Sequence, residues 1–224
     1  ALTRLLVHCD GSGGPLCGSR LCGSSACELG AGCGLAGMAF ALHGASSVVL
    51  TDLAEVMPHL EANMAANIDE LRDRRVTCRA FEWGTDASSL LSDGQGRFDF
   101  LLAADAIYLA AQIEPFLTSL TALSSPTTVI ILALERRSPD VWEAFDVALR
   151  ERYRVRRVSI ETLRKINDNA KVDHLSILLC QKRGDNGACE DMIGGASSYL
   201  EPEEEEEEVE AASAAAEEAA AVMP

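Results

Sequence analysis

Seven short strand candidates, most of them apolar, at 26–29, 47–51, 76–81, 98–103, 128–134, 154–159 and 175–181, recur along this chain, with amphipathic segments at 35–43, 54–67, 111–123 and 139–151 between most of them. A run of that length suits a buried strand, and strands that alternate with helices are joined in parallel through crossovers. The pattern therefore predicts an α/β domain, a seven-stranded mainly parallel sheet with helices on both faces. Pro139 suits the first turn of its helix, where a missing N–H costs nothing. The connection between the last two runs is short and polar, so an antiparallel last strand is expected. The first run is weak, because Ala26, Cys27 and Leu29 stand where a central strand prefers β-branched residues.

A chain of 224 residues holds one domain with a sizeable core. The net charge of −16 is misleading until it is divided: residues 190–224 carry eleven Glu, one Asp and no Lys or Arg, which is −12 and leaves −4 for residues 1–189. The domain is thus only mildly acidic and shows no clustered basic face, which argues against nucleic acid as substrate. The chain divides into three regions: an irregular Gly/Ser/Cys-rich segment at 1–23, the domain at 24–184, and an acidic Ala/Glu-rich tail at 185–224. Residues 10–25 show no helical periodicity and read as loop or disorder. The tail cannot bury enough apolar surface to offset ordering entropy, so it is expected to be disordered or transiently helical. It reads as a solvating segment, with a basic partner as the alternative.

Eight cysteines raise the question of metal or disulfides. Cys9, Cys17, Cys22, Cys27 and Cys33 are separated by seven, four, four and five residues, and no C-x-x-C pair exists, so no metal site is expected. Cys78 and Cys180 fall in apolar runs, where a thiol behaves as a small core residue. With no stretch of 18 apolar residues and no signal peptide, no membrane partner is expected. The chain is predicted to be a monomer in a reducing compartment, cytoplasmic or nuclear.

The chemistry is written at strand ends. Glu28-Leu29-Gly30-Ala31-Gly32-Cys33-Gly34-Leu35 joins the first strand to a helix, and Thr51-Asp52 ends the second. Alternate glycines let backbone approach a ligand closely, and an acidic residue at the next strand end can hold ribose hydroxyls. Gly32, Gly34 and Gly37 also fit G-x-G-x-x-G, so the glycines alone leave a dinucleotide open. Glu28 favours another nucleoside cofactor, since a carboxylate there suits the ammonium of a bound amino acid and would repel pyrophosphate. Phe81-Glu82-Trp83-Gly84 ends the third strand, where Trp83 meets an adenine or serves as a core aromatic. Asp105-Ala106-Ile107-Tyr108 ends the fourth and Glu135-Arg136-Arg137 the fifth.

Taken together, ELGAGCGL, TDL, EWG and DAIY, with LEANMAAN at 60–67 and the Glu135-Arg136-Arg137 turn, resemble the seven-strand protein-lysine N-methyltransferases of methyltransferase family 16, which include the methyltransferase-like 21 proteins. The resemblance covers residues 26–182. It implies a Rossmann-like class I methyltransferase fold that binds S-adenosylmethionine. Glu28, Gly30 and Gly32 would surround its methionine and ribose, Asp52 would take the ribose hydroxyls, Trp83 would sit by the adenine, and Ala104 with Asp105 would line the floor. It implies as partner a protein substrate carrying the target lysine, which would meet Asp105, Tyr108 and, as a second carboxylate, Glu135. A salt bridge from Glu135 to Arg136 or Arg137 is an equal alternative.

Methyl transfer to lysine needs a neutral amine, and with a reference pKa near 10.4 only about one lysine in a thousand is neutral near pH 7, a cost on the order of 4 kcal/mol. A narrow apolar channel would lower that cost by desolvating the ammonium. Asp105 would orient the amine and Tyr108 would face the developing cation. A carboxylate titrates far below an ammonium, so proton loss to water, not to Asp105, is expected.

One departure from the family stands at the start. Members carry a tryptophan-bearing amphipathic segment and a Val/Leu-rich strand where this chain has Gly, Ser and Cys, and the sequence begins at Ala1, consistent with a fragment, a divergent version or an imperfect gene model. That difference would weaken or remove cofactor binding. Two rival readings stay open: a methyltransferase with another acceptor, and a catalytically silent methyltransferase-like interaction protein. A dehydrogenase is disfavoured because His8, His43, His59 and His174 are scattered and none sits at a strand end.

Overall fold

In a computed structural model, the seven strand candidates pair side by side in a single sheet of order β3-β2-β1-β4-β5-β7-β6. The structure describes residues 2–3, 5, 18–91, 97–168, 171–183, 192–193 and 200–201. The strands are β1 (Ser25–Leu29), β2 (Ser47–Asp52), β3 (Arg75–Ala80), β4 (Phe100–Ala104), β5 (Val129–Glu135), β6 (Tyr153–Arg157) and β7 (Leu175–Lys182). β1 to β5 pair in parallel. β7 is antiparallel, as expected, and inserts between β5 and β6.

Among the described residues, five helices of more than one turn pack on the sheet: α1 (Leu35–Leu42), α2 (Met57–Ala66), α3 (Ile113–Leu123), α4 (Pro139–Arg152) and α5 (Ile160–Ile166). Side-chain alternation along the strands divides the apolar residues between two faces. Phe100 and Leu102 of β4 join α1, α2 and α5 on one face through Phe40, Leu60 and Leu163. Leu101 and Ala103 join α3 and α4 on the other through Phe116, Leu120, Phe145 and Leu149. Aromatic edges fix both layers, with Phe40 against Phe100 at 5.1 Å and Phe116 against Phe145 at 6.2 Å between centroids. Each such fully buried ring contributes about 1.5–3 kcal/mol by leaving water.

Four expectations are corrected. β1 is no weak strand: it has ladders on both sides, and Ala26, Cys27 and Leu29 are fully buried, so pairing and burial override propensity. The link between β6 and β7 is not merely polar. It contains α5, started by Ser159, whose Oγ accepts the Thr162 N–H at 3.2 Å, and it buries Leu163. Within 10–25, Gly18–Leu21 form a helical turn that buries Leu21, while residues 10–17 lie outside the described residues. Part of the tail is ordered too: Ile193 and Leu200 are buried in the core, and Arg20 donates to the Met192 carbonyl at 2.9 Å. Leu2 and Leu5 join that same core from the other end of the chain. Residues 202–224 lie outside the described residues. Among the described residues, no helix is long and apolar enough to cross a membrane.

Candidate functional site

The sheet order reverses between β1 and β4, and open α/β sheets bind ligands beyond the carboxyl ends of the strands at such a switch point. Both groups of candidate residues lie at that edge.

The glycine turn after β1 uses left-handed backbone at Gly30 (φ 68°), Gly32 (φ 55°) and Gly34 (φ 79°), which a side chain would strain. Main-chain bonds pin it to β2: the Ala31 N–H donates to the Thr51 carbonyl at 2.9 Å and Gly34 closes back on Ala31 at 2.7 Å. Asp52 holds the centre. Its Oδ2 accepts the Gly32 N–H at 2.7 Å and its Oδ1 the Leu53 N–H at 2.8 Å, which leaves a lone pair on each oxygen for a ligand hydroxyl. Trp83 lies across Gly30 so closely that a Cβ there would meet the indole at 3.0 Å. The ring is half-buried and stands edge-on to Phe116 at 5.0 Å, so it is a core aromatic with one side left at the turn.

Glu28 sits differently from what the sequence suggested. Its side chain is 1% exposed, and its Oε2 accepts the Gly37 N–H at 2.8 Å, in the first turn of α1. A Cβ on Gly37 would fall 2.6 Å from that oxygen and strike Leu50 as well, so Gly37 is glycine to seat the carboxylate. Burial pushes the Glu28 pKa up to about 8; the Gly37 N–H opposes the rise and the neighbouring Asp52 charge adds to it. Glu28 is therefore turned inward on its Oε2, which fixes the turn on α1.

On the other half of the edge, Asp105 directly follows β4 with φ 52°, a conformation that Asp and Asn adopt more readily than other side chains, and its N–H donates to the Ala133 carbonyl at 2.7 Å. Its Oδ2 meets Arg137 Nη2 at 2.6 Å, and the same nitrogen lies 3.0 Å from Glu135 Oε2. Of the two alternatives for Glu135, the salt bridge is realised, to Arg137, and it takes in Asp105 as well. Tyr108, 52% exposed, stands at the rim of a shallow cleft whose walls include Ile107, Leu134, Val141, Trp142 and Phe145. Ala104 is half-buried at the end of β4 beside this rim.

Two residues of the site were not anticipated in these roles. Arg137 ties Asp105 to Glu135, and Trp142, on α4, lines the cleft with Arg136 at 5.8 Å and Arg157 at 5.9 Å from its ring centroid. Adjacency to the Glu135 turn hinted at Arg137. Nothing local could signal Arg157, which arrives from β6.

Residues 11–149 match the sequence profile of a family described as lysine methyltransferase, well over half of the chain. The chain belongs to this lysine methyltransferase family. Two proteins similar to this chain carry the name protein N-lysine methyltransferase METTL21A. The Danio rerio protein is 35% identical over 65% of this chain and 64% of its own length, and the Mus musculus protein 38% identical over 53% and 52%. The chain thus spans about half to two thirds of the length of these relatives. EEF1A lysine methyltransferase 3 of Xenopus tropicalis is 33% identical over 51% of the chain and 48% of its own length. Among solved structures, magnesium protoporphyrin IX methyltransferase from Synechocystis with bound SAM superposes with a TM-score of 0.52 at 16% identity, covering 81% of this chain and 76% of that one. Ribosomal protein L11 methylase from Lactobacillus delbrueckii gives 0.51 at 18% identity, covering 82% and 78%. At such identities the likeness is one of fold: a class I methyltransferase fold with seven strands and β7 antiparallel.

Proposed function

We propose that this protein binds S-adenosylmethionine at the β1–β2 end of the edge and transfers its methyl group to a lysine of a protein substrate at the cleft beyond Asp105. The observation that carries the reading is the meeting of two half-sites on one sheet edge: a glycine turn with Asp52 and Trp83, and a carboxylate-rimmed apolar cleft. The names of its relatives support lysine as acceptor.

The residues present fit the cofactor. Three left-handed glycines and the close approach of Trp83 to Gly30 make a cradle that a Cβ would fill, and Asp52 keeps acceptor capacity for ribose hydroxyls. When bound, S-adenosylmethionine supplies a methyl carbon activated by positive sulfur. The chain's own task is to bring a neutral amine into line. The apolar walls of the cleft suit the aliphatic stem of lysine and disfavour its ammonium, while Asp105 and Glu135 attract the charged form to the mouth. Arg137 now occupies the place a substrate cation would take between those carboxylates, and an incoming lysine must displace it. Asp105, Glu135 and Arg137 are 48%, 37% and 53% exposed at the side chain, and solvent screens an ion pair so placed, so displacement is cheap.

Calorimetric titration with S-adenosylmethionine tests the first half-site. Micromolar binding is expected, and Asp52→Ala should weaken it about tenfold to a hundredfold, since a charged acceptor is lost and two N–H groups of the turn lose their partner. Absence of binding overturns the cofactor assignment. Incubation with cell extract and labelled cofactor, followed by mass-spectrometric mapping, tests the second. A product without methylated lysine overturns the acceptor assignment.

A further inference from the structure

Two cations gather at the far side of the acceptor cleft. β7 runs against β5 and β6 runs against β7, so β6 runs with β4 and β5, and its last residue, Arg157, emerges at the same sheet edge as Asp105 and Glu135. Arg136 follows β5 directly. Both guanidiniums lie on one ring, that of Trp142 in the first turn of α4, at 5.8 Å for Arg136 and 5.9 Å for Arg157 from its centroid. Trp142 is itself a wall of the cleft.

The arginines of this edge differ in how their charge is met. Arg137 is held by Asp105 and Glu135, and Arg164 by the Asp173 carboxylate at 2.6 Å. Arg136 donates to the Asp173 main-chain carbonyl, a neutral acceptor. Among the described residues neither Arg136 nor Arg157 makes an ion pair. Arg157 is the less satisfied of the two. Its side chain is half-buried, and its Nε is buried without a hydrogen-bond partner. A buried N–H of a charged group is costly without an acceptor, and folded proteins leave few such groups alone. Two like charges on one indole also raise the local positive potential, which the ring face offsets only in part.

The edge is therefore polarised. Carboxylates stand at the ends of β4 and β5, cations without carboxylates stand toward β6, and the cleft walls run from Tyr108 to Trp142. β6 lies two strands beyond β5, roughly 10 Å at the usual strand spacing, and an extended peptide covers that span in about three residues.

Resting on the acceptor reading above, we propose that Arg157, with Arg136, forms an anion subsite that selects substrates carrying Asp or Glu two or three residues from the target lysine. Trp142 is the platform on which both guanidiniums are held. A carboxylate gives the Arg157 Nε its missing acceptor and takes a second bond from a terminal nitrogen of the same fork. The pair also repels Lys or Arg at those positions, so a lysine within a basic run is rejected.

Fluorescence anisotropy on the full chain tests this with dye-labelled nine-residue peptides, each with one central lysine and a single Glu or Gln at one flanking position. Glu two or three residues from the lysine, on one side of it, should bind at least fivefold more tightly than Gln. Arg157→Gln should bring that ratio below twofold, whereas Arg157→Lys, which keeps the charge but loses the fork, should retain part of it. Arg136→Gln, at an exposed position, should at least halve the ratio and carries the test should Arg157→Gln fail to fold. A ratio near one at every position overturns the proposal, as does a ratio that survives both Gln variants or an absence of binding by every peptide. Labelled methyl transfer to the same peptides keeps the two readings apart. Lysine methylation with no preference for Glu overturns the subsite alone. A Glu preference that is lost in Arg157→Gln, with no transfer to any peptide, supports the subsite and counts against the acceptor assignment alone.

Discussion

Asp105→Asn is expected to lower methyl transfer about a hundredfold while affinity for S-adenosylmethionine stays within about threefold, because the lost group aligns the acceptor and not the cofactor. Asparagine is the informative substitution. Asp105 holds φ 52°, which Asn tolerates and Ala does not, so Asn removes the charge without straining the turn. Asp105→Ala would lose activity for both reasons at once. Arg137→Met should act on the other parameter. It frees two carboxylates that a substrate lysine must otherwise win from the guanidinium, so KM for the protein substrate should fall, by no more than about fivefold given the exposure of the pair, with kcat little changed. Steady-state kinetics of the two variants separate these effects. Full activity in Asp105→Asn would remove Asp105 from the site.

Glu28→Gln is expected to stabilise the fold at alkaline pH and to flatten its pH dependence. Burial holds the Glu28 pKa near 8 in the folded chain, against an ordinary value of 4.5. Between those values the folded chain keeps a proton that the unfolded chain has released. Stability contributed by this group therefore falls as pH rises through that window and levels off above about 8. The gap corresponds to roughly 3–5 kcal/mol lost between acid and alkaline conditions. Gln keeps a carbonyl oxygen for the Gly37 N–H and carries no charge to bury. Denaturant unfolding at pH 5.5 and 8.5 reads the effect below the range in which the buried thiols Cys27 and Cys180, both pushed upward by burial, begin to titrate. Parallel loss of stability in wild type and variant would show that Glu28 ionises without penalty.

How far the residues spoke for themselves differs by element. The seven strands were legible because most are short apolar runs and the arginine-rich β6 run carries Val155 and Val158, and the run lengths match β1 to β7 to within two residues at either end. The glycine turn and Asp52 were legible because a left-handed turn at a strand end demands glycine and a β2 carboxylate reaches it locally. α5 was missed because its seven residues, Ile160–Ile166, expose mostly polar side chains and bury Leu163 and Thr162. So short an amphipathic stretch carries little periodicity. The burial of Glu28 was not legible because its partner, Gly37, stands nine residues on and reads in the sequence as one glycine of a G-x-G-x-x-G pattern.

The sequence by itself determined the α/β class, the strand and turn positions, and which residue types gather at strand ends, since these depend on local periodicity and on backbone that only glycine adopts freely. Only the tertiary structure decided what those residues do to one another. The inward turn of Glu28 depends on a helix laid over β1, the clasp of Asp105 and Glu135 by Arg137 on β4 and β5 lying side by side, and the cover over Trp142 on Arg157 arriving from β6. Charges and rings interact through a few ångströms of space, and those distances exist only once distant segments have paired.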